Sequence, residues 1–219
     1  VAAAAEEVRA AVGDEGLAGL VNNAGVVVAA PLEFVPLDEV RHQLEVNLLG
    51  PLALVQALLP TLRRARGRIV NIGSVAGKSA LPFMGPYAMS KFALEALTDA
   101  LRVELMPWDV RVAVVEPGAV ATSIWRASIK AADELAQRLP PQARELYGKA
   151  MAVVRQRALS GEQHGIPAER VARAVEHALT ADAPRTRYLL GWDSKLRLLL
   201  ERLPDRLRDR VIAKALYEG

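Results

Sequence analysis

The sequence predicts an α/β protein with a doubly wound parallel sheet, and two observations carry that expectation. Short apolar runs at Leu17–Val21, Arg68–Ile72, Val110–Val115 and Thr186–Leu190 have the length of strands buried on both faces. Much longer helical patterns lie between them, the alternation expected when each strand crosses through a helix to a parallel neighbour. A chain of 219 residues can bury one substantial core. It shows no internal repeat and no low-complexity linker, so 1–219 reads as a single domain with a helical tail at 193–217.

The elements follow in order. Residues 1–12 are Ala-rich with Glu6, Glu7 and Arg9, a good helix composition, and Gly13 and Gly16 end it. Leu17–Val21 runs into Asn22-Asn23-Ala24-Gly25 as a buried strand followed by a loop. A helix is expected from about Leu37 to Arg64, with Asp38 near its start and a kink at Pro51. Gly67 introduces the strand 68–72, which stops at Gly73-Ser74. The loop 75–85 contains Gly77, Pro82 and Gly85. Pro86 suits the first turn of a helix that runs to about Leu105. The strand 110–115 closes at Pro117-Gly118. Helical patterns occupy 125–158, broken at Pro140-Pro141, and 167–180, before the fourth strand at 186–190. The tail 193–217 reads as two basic amphipathic helices split by Pro204.

Composition narrows the function. The chain has no cysteine, which excludes disulfides, thiolate metal sites and a cysteine nucleophile, and fits a reducing cytoplasm. A net charge of +3, with Lys and Arg interspersed among acids, gives no basic stripe for nucleic acid. No uninterrupted apolar run reaches membrane-spanning length, and no signal-peptide pattern opens the chain. His42, His164 and His177 lack ligand spacing, so no metal is assigned.

In an open parallel sheet, ligands bind beyond the carboxyl ends of the strands. Three such ends carry polar or Gly-rich sequence: Asn22–Gly25, Gly73-Ser74 and Pro117–Thr122. On the helix after Ser74, Tyr87 and Lys91 are four residues apart and share a face. A tyrosine ordinarily loses its proton near pH ~10, too high for acid–base work near neutrality. An adjacent ammonium favours the phenolate. With four tyrosines and six lysines in the chain, one Tyr-x-x-x-Lys arises by chance only about 0.1 times, so the pair gains meaning from its company.

That company resembles the ordered motifs of the short-chain dehydrogenases/reductases. Asn22-Asn23-Ala24-Gly25, Asn47, Ser74, Tyr87-Ala88-Met89-Ser90-Lys91 and Pro117-Gly118-Ala119-Val120-Ala121-Thr122 stand in the family's order, with twelve residues between Ser74 and Tyr87. The likeness is close over residues 1–125. It implies a Rossmann-like fold and an NAD- or NADP-dependent enzyme that interconverts an alcohol and a carbonyl. Tyr87 would be the general acid or base, Ser74 would hold the substrate oxygen, and Lys91 would tune Tyr87 and bind the nicotinamide ribose. Asn47 would hold a relay water, although a polar residue merely interrupting an apolar helix is the alternative. Asn22, Ala24 and Gly25 would approach the adenosine side, unless Gly25 is only a turn former. Pro117, Gly118, Val120 and Thr122 would meet the nicotinamide, with Thr122 also suited to a helix cap.

One family feature has no match. A Gly-rich turn of Thr-Gly-x-x-x-Gly-x-Gly type does not occur in the sequence. The expectation is therefore an N-terminally truncated domain lacking two βα units, on the order of 60–75 residues, with a sheet edge exposed beside Leu17–Val21. Val75, Leu81, Phe83, Met84, Ile124 and Trp125 would line a mostly apolar substrate site. This favours a nonpolar alcohol or ketone and the retinoid- and steroid-acting branch. Apolar residues on more than one face of helices 37–64 and 86–105 predict a homodimer or homotetramer. The tail's Lys and Arg residues could meet an anionic membrane, but Glu201, Asp205 and Asp209 favour a solvated helix face. The alternative function is an inactive scaffold that acts only by association.

Overall fold

A computed structural model describes residues 1–217. Four parallel strands, β1 (Gly19–Asn22), β2 (Arg68–Ile72), β3 (Arg111–Pro117) and β6 (Arg187–Leu190), form a sheet in the order β1-β2-β3-β6. The register places Val21 opposite Val70, Val70 opposite Ala113 and Val115 opposite Tyr188. A second, two-stranded pair joins β4 (Val120–Ala121) to β5 (Ile166–Pro167). The parallel α/β expectation holds, with β1 at the edge of the sheet and Val21 37% exposed.

Strand alternation sorts the core onto two faces. On one side Ile69 and Val112 meet Ala5 of α1 (Ala2–Val12), Val55, Leu58 and Leu62 of α3 (Gly50–Arg64), and Leu101 of α4 (Gly85–Glu104). On the other side Val70, Ala113 and Val115 meet Ala174 and Ala178 of α7 (Ala168–Thr180). Each fully buried Leu or Ile adds about 1.5–3 kcal/mol relative to leaving it exposed.

The helical run from Leu37 differs from expectation in one informative way. The break from regular α-helix falls just ahead of Pro51. It consists of α2 (Leu37–Leu44), a π-helical turn over Glu45–Leu49 and α3. The wide turn closes through the Gly50 N–H, which donates to Glu45 O. Pro51 then falls in the first turn of α3, where a missing N–H costs little. The run Leu37–Arg64 spans 28 residues with a window of mean hydropathy 1.3, long and apolar enough by composition to cross a membrane. Here Val55, Leu58 and Leu62 pack on the sheet instead.

The remaining helices are α5 (Ile124–Arg138), α6 (Pro141–His164), α8 (Trp192–Leu200) and α9 (Asp205–Tyr217). Phe83, which adopts φ +66°, is buried among Ala150 of α6, Leu216 of α9 and the edge of Tyr147.

Candidate active site

The carboxyl ends of β1, β2 and β3 converge as expected, and a chain of buried amides holds them. Asn22 Nδ2 donates to Asn71 Oδ1 at 2.8 Å, Asn71 Nδ2 donates to Thr98 Oγ1 at 2.8 Å, and Thr98 Oγ1 donates to Leu94 O at 2.7 Å. Asn22 thus fixes β1 to β2 and α4 with its amide nitrogen, while its buried Oδ1 has no partner among the described residues. Ala24 is exposed and Gly25 half-buried, on the loop facing the site.

Asn47 sits in the π-helical turn and is buried. Its Oδ1 accepts from Val26 N–H at 2.9 Å, and its Nδ2 donates to Val26 O at 3.0 Å and Ser90 Oγ at 3.1 Å. Its amide therefore clasps the Val26 backbone to α4. Gln43 does the same one turn earlier, donating to Val26 O and accepting from Val28 N–H. The loop that follows β1 is pinned by two amides, and no motif marks Gln43 in the sequence.

Ser74 stands two residues beyond β2 and opens a 3₁₀ turn, where its Oγ accepts from Ala76 N–H at 3.1 Å. On α4, Lys91 Nζ lies 5.7 Å from the centroid of the Tyr87 ring and donates to Ile72 O at 2.7 Å. Burial pulls the Lys91 ammonium down to about 8, partly offset by the Glu95 carboxylate one turn along. Burial raises the Tyr87 phenol, and the Ser74 hydroxyl and the Arg197 cation pull it back. Arg197 lies on α8, in the tail that the sequence assigned to a solvated surface; the structure corrects this for Arg197, which is partly buried and donates to Ser79 O at 2.5 Å. Its signal was available, because α8 begins just beyond the carboxyl end of β6, where ligand-facing groups are expected.

Beneath Lys91 lies a charge cluster the sequence did not reveal. Glu95 and Glu116, both buried, meet Lys78 at 3.1 and 3.6 Å and share the Arg187 guanidinium, which also reaches Asp99. Burial and the neighbouring Glu95 push Glu116 up to about 7, against the pull of Lys78 and Arg187. The cluster joins the Ser74 turn, the end of β3 and β6 to α4.

The residues named for the substrate wall are divided. Val75 and Phe83 are buried in protein contacts, whereas Leu81 and Met84 are half-buried and Ile124 is exposed. Trp125 donates through Nε1 to Val120 O at 2.7 Å and lies against Gly161 of α6. Pro117 is buried at the end of β3, and Gly118, Val120 and Thr122 are half-buried in the turns beyond it.

Fold and site together define an α/β oxidoreductase with a tyrosine, serine and lysine at the carboxyl edge of a parallel sheet. The family profile described as short chain dehydrogenase matches residues 1–133. The chain is 42% identical to human retinol dehydrogenase 16 over 218 residues, covering 97% of this chain and 68% of that protein. It is 36% identical over 219 residues to the NADPH-dependent 3-dehydrocapnine reductase of Ornithobacterium rhinotracheale, covering 97% and 75%. Among solved structures, a short-chain dehydrogenase from Streptomyces avermitilis matches with a TM-score of 0.71 at 26% identity, over 97% of this chain and 72% of that one. A short-chain dehydrogenase from Burkholderia cenocepacia, in complex with NADP, matches at 0.65 and 27% identity over 94% and 74%. The chain belongs to the short-chain dehydrogenase family, oxidoreductases that act on CH–OH groups.

The site fits the nicotinamide end of an NAD or NADP cofactor. A Cβ on Gly25 would stand 3.5 Å from Asn47 Oδ1 and 4.0 Å from Lys91 Nζ, so the bare loop lies directly against the lysine. Lys91 donates one proton to Ile72 O and, as an ammonium, has two more for ribose hydroxyls.

Proposed function

We propose that this protein interconverts a nonpolar alcohol and its ketone or aldehyde, with Tyr87 moving the proton. The observation that carries the reading is the placement of Lys91 Nζ 5.7 Å from the Tyr87 ring centroid, on one helix face beside Ser74. In reduction, Tyr87 donates its hydroxyl proton to the substrate oxygen, and in oxidation the phenolate takes it back. Ser74 Oγ supports the charge developing on that oxygen. The nicotinamide, when bound, supplies or accepts the hydride. Lys91, Asn22, Ala24, Gly25, Pro117, Gly118, Val120 and Thr122 would hold it, and Asn47 would keep the Gly25 loop against Lys91.

Leu81, Met84 and Ile124 give the substrate side an apolar character, which agrees with the named activities of the retinol and hydroxysteroid dehydrogenase relatives. Exposed Met89 and Phe92 on α4 support pairing with a second copy, read by sedimentation. The deciding experiment compares the full chain with Tyr87→Phe in reduction of nonpolar ketones by NADH or NADPH. A loss of roughly 10²–10⁴-fold is expected. Equal rates would remove the assignment, and selective turnover of sugars would remove the substrate class.

A further inference from the structure

The first turns of α8 reach both walls of the active site. Asp193 Oδ2 accepts the backbone N–H of Ala119 at 2.9 Å, in the turn that follows Pro117-Gly118. The contact is close: a Cβ on Gly118 would run into the Asp193 carboxylate. Gly191, at φ +99°, lets the chain leave β6 with Asp193 folded back over that turn. Ser194 is fully buried and donates to Leu190 O at 2.7 Å, anchoring the start of the helix.

One helical turn further, Arg197 Nη2 donates to Ser79 O at 2.5 Å. Ser79 N–H itself donates to Val75 O at 3.1 Å, within the turn that Ser74 opens. Residues i and i+4 project from the same helix face. One face of α8 therefore grips the Gly118 turn and the Ser74 turn together. The Arg197 Nε is buried and has no hydrogen-bond partner among the described residues. Burial disfavours its charge, which Asp193 and Glu201 help to sustain, and that charge favours the Tyr87 phenolate.

We propose that Asp193 and Arg197 are positioning residues of the proton-transfer site: Asp193 fixes the Gly118–Ala119 turn, and Arg197 holds the Ser79 segment that follows Ser74. The inference rests on the reading of Tyr87 as the proton carrier. When Tyr87 gives its proton to the substrate oxygen, the phenolate left behind is half-buried. The Arg197 charge, held in place by its bond to Ser79 O, favours that phenolate alongside Lys91.

Two readouts independent of turnover test it on the full chain. Ultraviolet titration of tyrosinate, with Tyr87→Phe identifying the Tyr87 transition, is compared for the parent, Arg197→Met and Arg197→Lys. Arg197→Met should raise the Tyr87 midpoint by about half a pH unit or more, and Arg197→Lys should largely restore it. A folded Arg197→Met with an unchanged or lowered midpoint overturns the role of Arg197. Should Arg197→Met fail to fold, Arg197→Gln reads the same midpoint. Hydrogen–deuterium exchange over residues 118–121 should quicken about tenfold or more in Asp193→Ala, with Asp193→Asn as the milder variant. Unchanged exchange in a folded variant overturns the role of Asp193. If Tyr87→Phe retains full ketone reduction, the functional reading fails by itself, whatever these two readouts show.

Discussion

Replacing Asn71 by alanine tests how the carboxyl edge of the sheet is held together. Asn71 is fully buried and is the middle member of the amide chain from Asn22 to Thr98. Its removal leaves Asn22 Nδ2 without an acceptor, and the Asn22 Oδ1 already lacks a partner among the described residues. An orphaned buried amide costs about 1–3 kcal/mol, and the small void left behind adds on the order of 1 kcal/mol. At roughly 2–4 °C per kcal/mol for a chain of this size, the total corresponds to a Tm lowered by roughly 5–15 °C. Thr98→Val breaks the same chain from its other end, stranding Asn71 Nδ2 at about 1–3 kcal/mol. Once Asn71 is gone, that second penalty has no donor to fall on. The double variant Asn71→Ala/Thr98→Val should therefore be more stable than the sum of the singles predicts, by about 1–2 kcal/mol. Chemical denaturation of the four proteins measures the difference. Additivity within about 0.3–0.5 kcal/mol would refute the claim that the three side chains act as one connected network.

Two further predictions concern the charge cluster. Glu116 is raised to about 7, chiefly by burial and then by Glu95, so the native state binds more protons than the unfolded chain between the ordinary glutamate range and that value. Its contribution is complete at low pH and is lost as pH rises through about 7. Glu116→Gln should flatten this slope, gaining on the parent at pH above 7 relative to acid, as read by thermal melts across pH; parallel curves would exclude it. Glu95 helps to keep Lys91 charged up to about pH 8, so Glu95→Gln should shift the alkaline limb of the kcat profile to lower pH. A limb that stays in place would show that the Glu95 charge does not reach Lys91.

The strands were legible because each is a short apolar run bounded by Gly, Asn or Pro, and Arg68–Ile72 has the same bounds in sequence and structure. The site at their ends was legible because Tyr87 and Lys91 are one helical turn apart, a relation fixed by local geometry. What the sequence concealed was long-range. The family resemblance singles out Asn47 for a relay water, but nothing in the sequence marks the π-helical turn that aims its amide at the Val26 backbone. Phe83 and Trp125 look like an apolar wall, but their neighbours are Leu216 and Gly161, far along the chain. Glu116 and Arg187 belong to different strands, and only the β3–β6 pairing brings them together. The tail misled most, because a charge on an amphipathic helix reads as solvated until the packing of that helix is known.

The cations Lys91 and Arg197 are held on a similar plan, which lowers the cost of placing them in the fold. Burying an ammonium or guanidinium is costly unless its protons and its charge are both answered. Lys91 donates to a backbone carbonyl, Ile72 O, and draws on a carboxylate four residues along, Glu95. Arg197 donates to a backbone carbonyl, Ser79 O, and draws on two carboxylates, Asp193 four residues back and Glu201 four residues along. In each case the carbonyl satisfies one donor, while Arg197 Nε stays buried without a partner among the described residues. The two differ in when they act. Lys91 discharges near pH 8, whereas a guanidinium keeps its charge throughout the working range. Arg197 thus maintains support for the Tyr87 phenolate in alkaline conditions where Lys91 no longer can, and alcohol oxidation is the direction that needs the phenolate before the reaction begins.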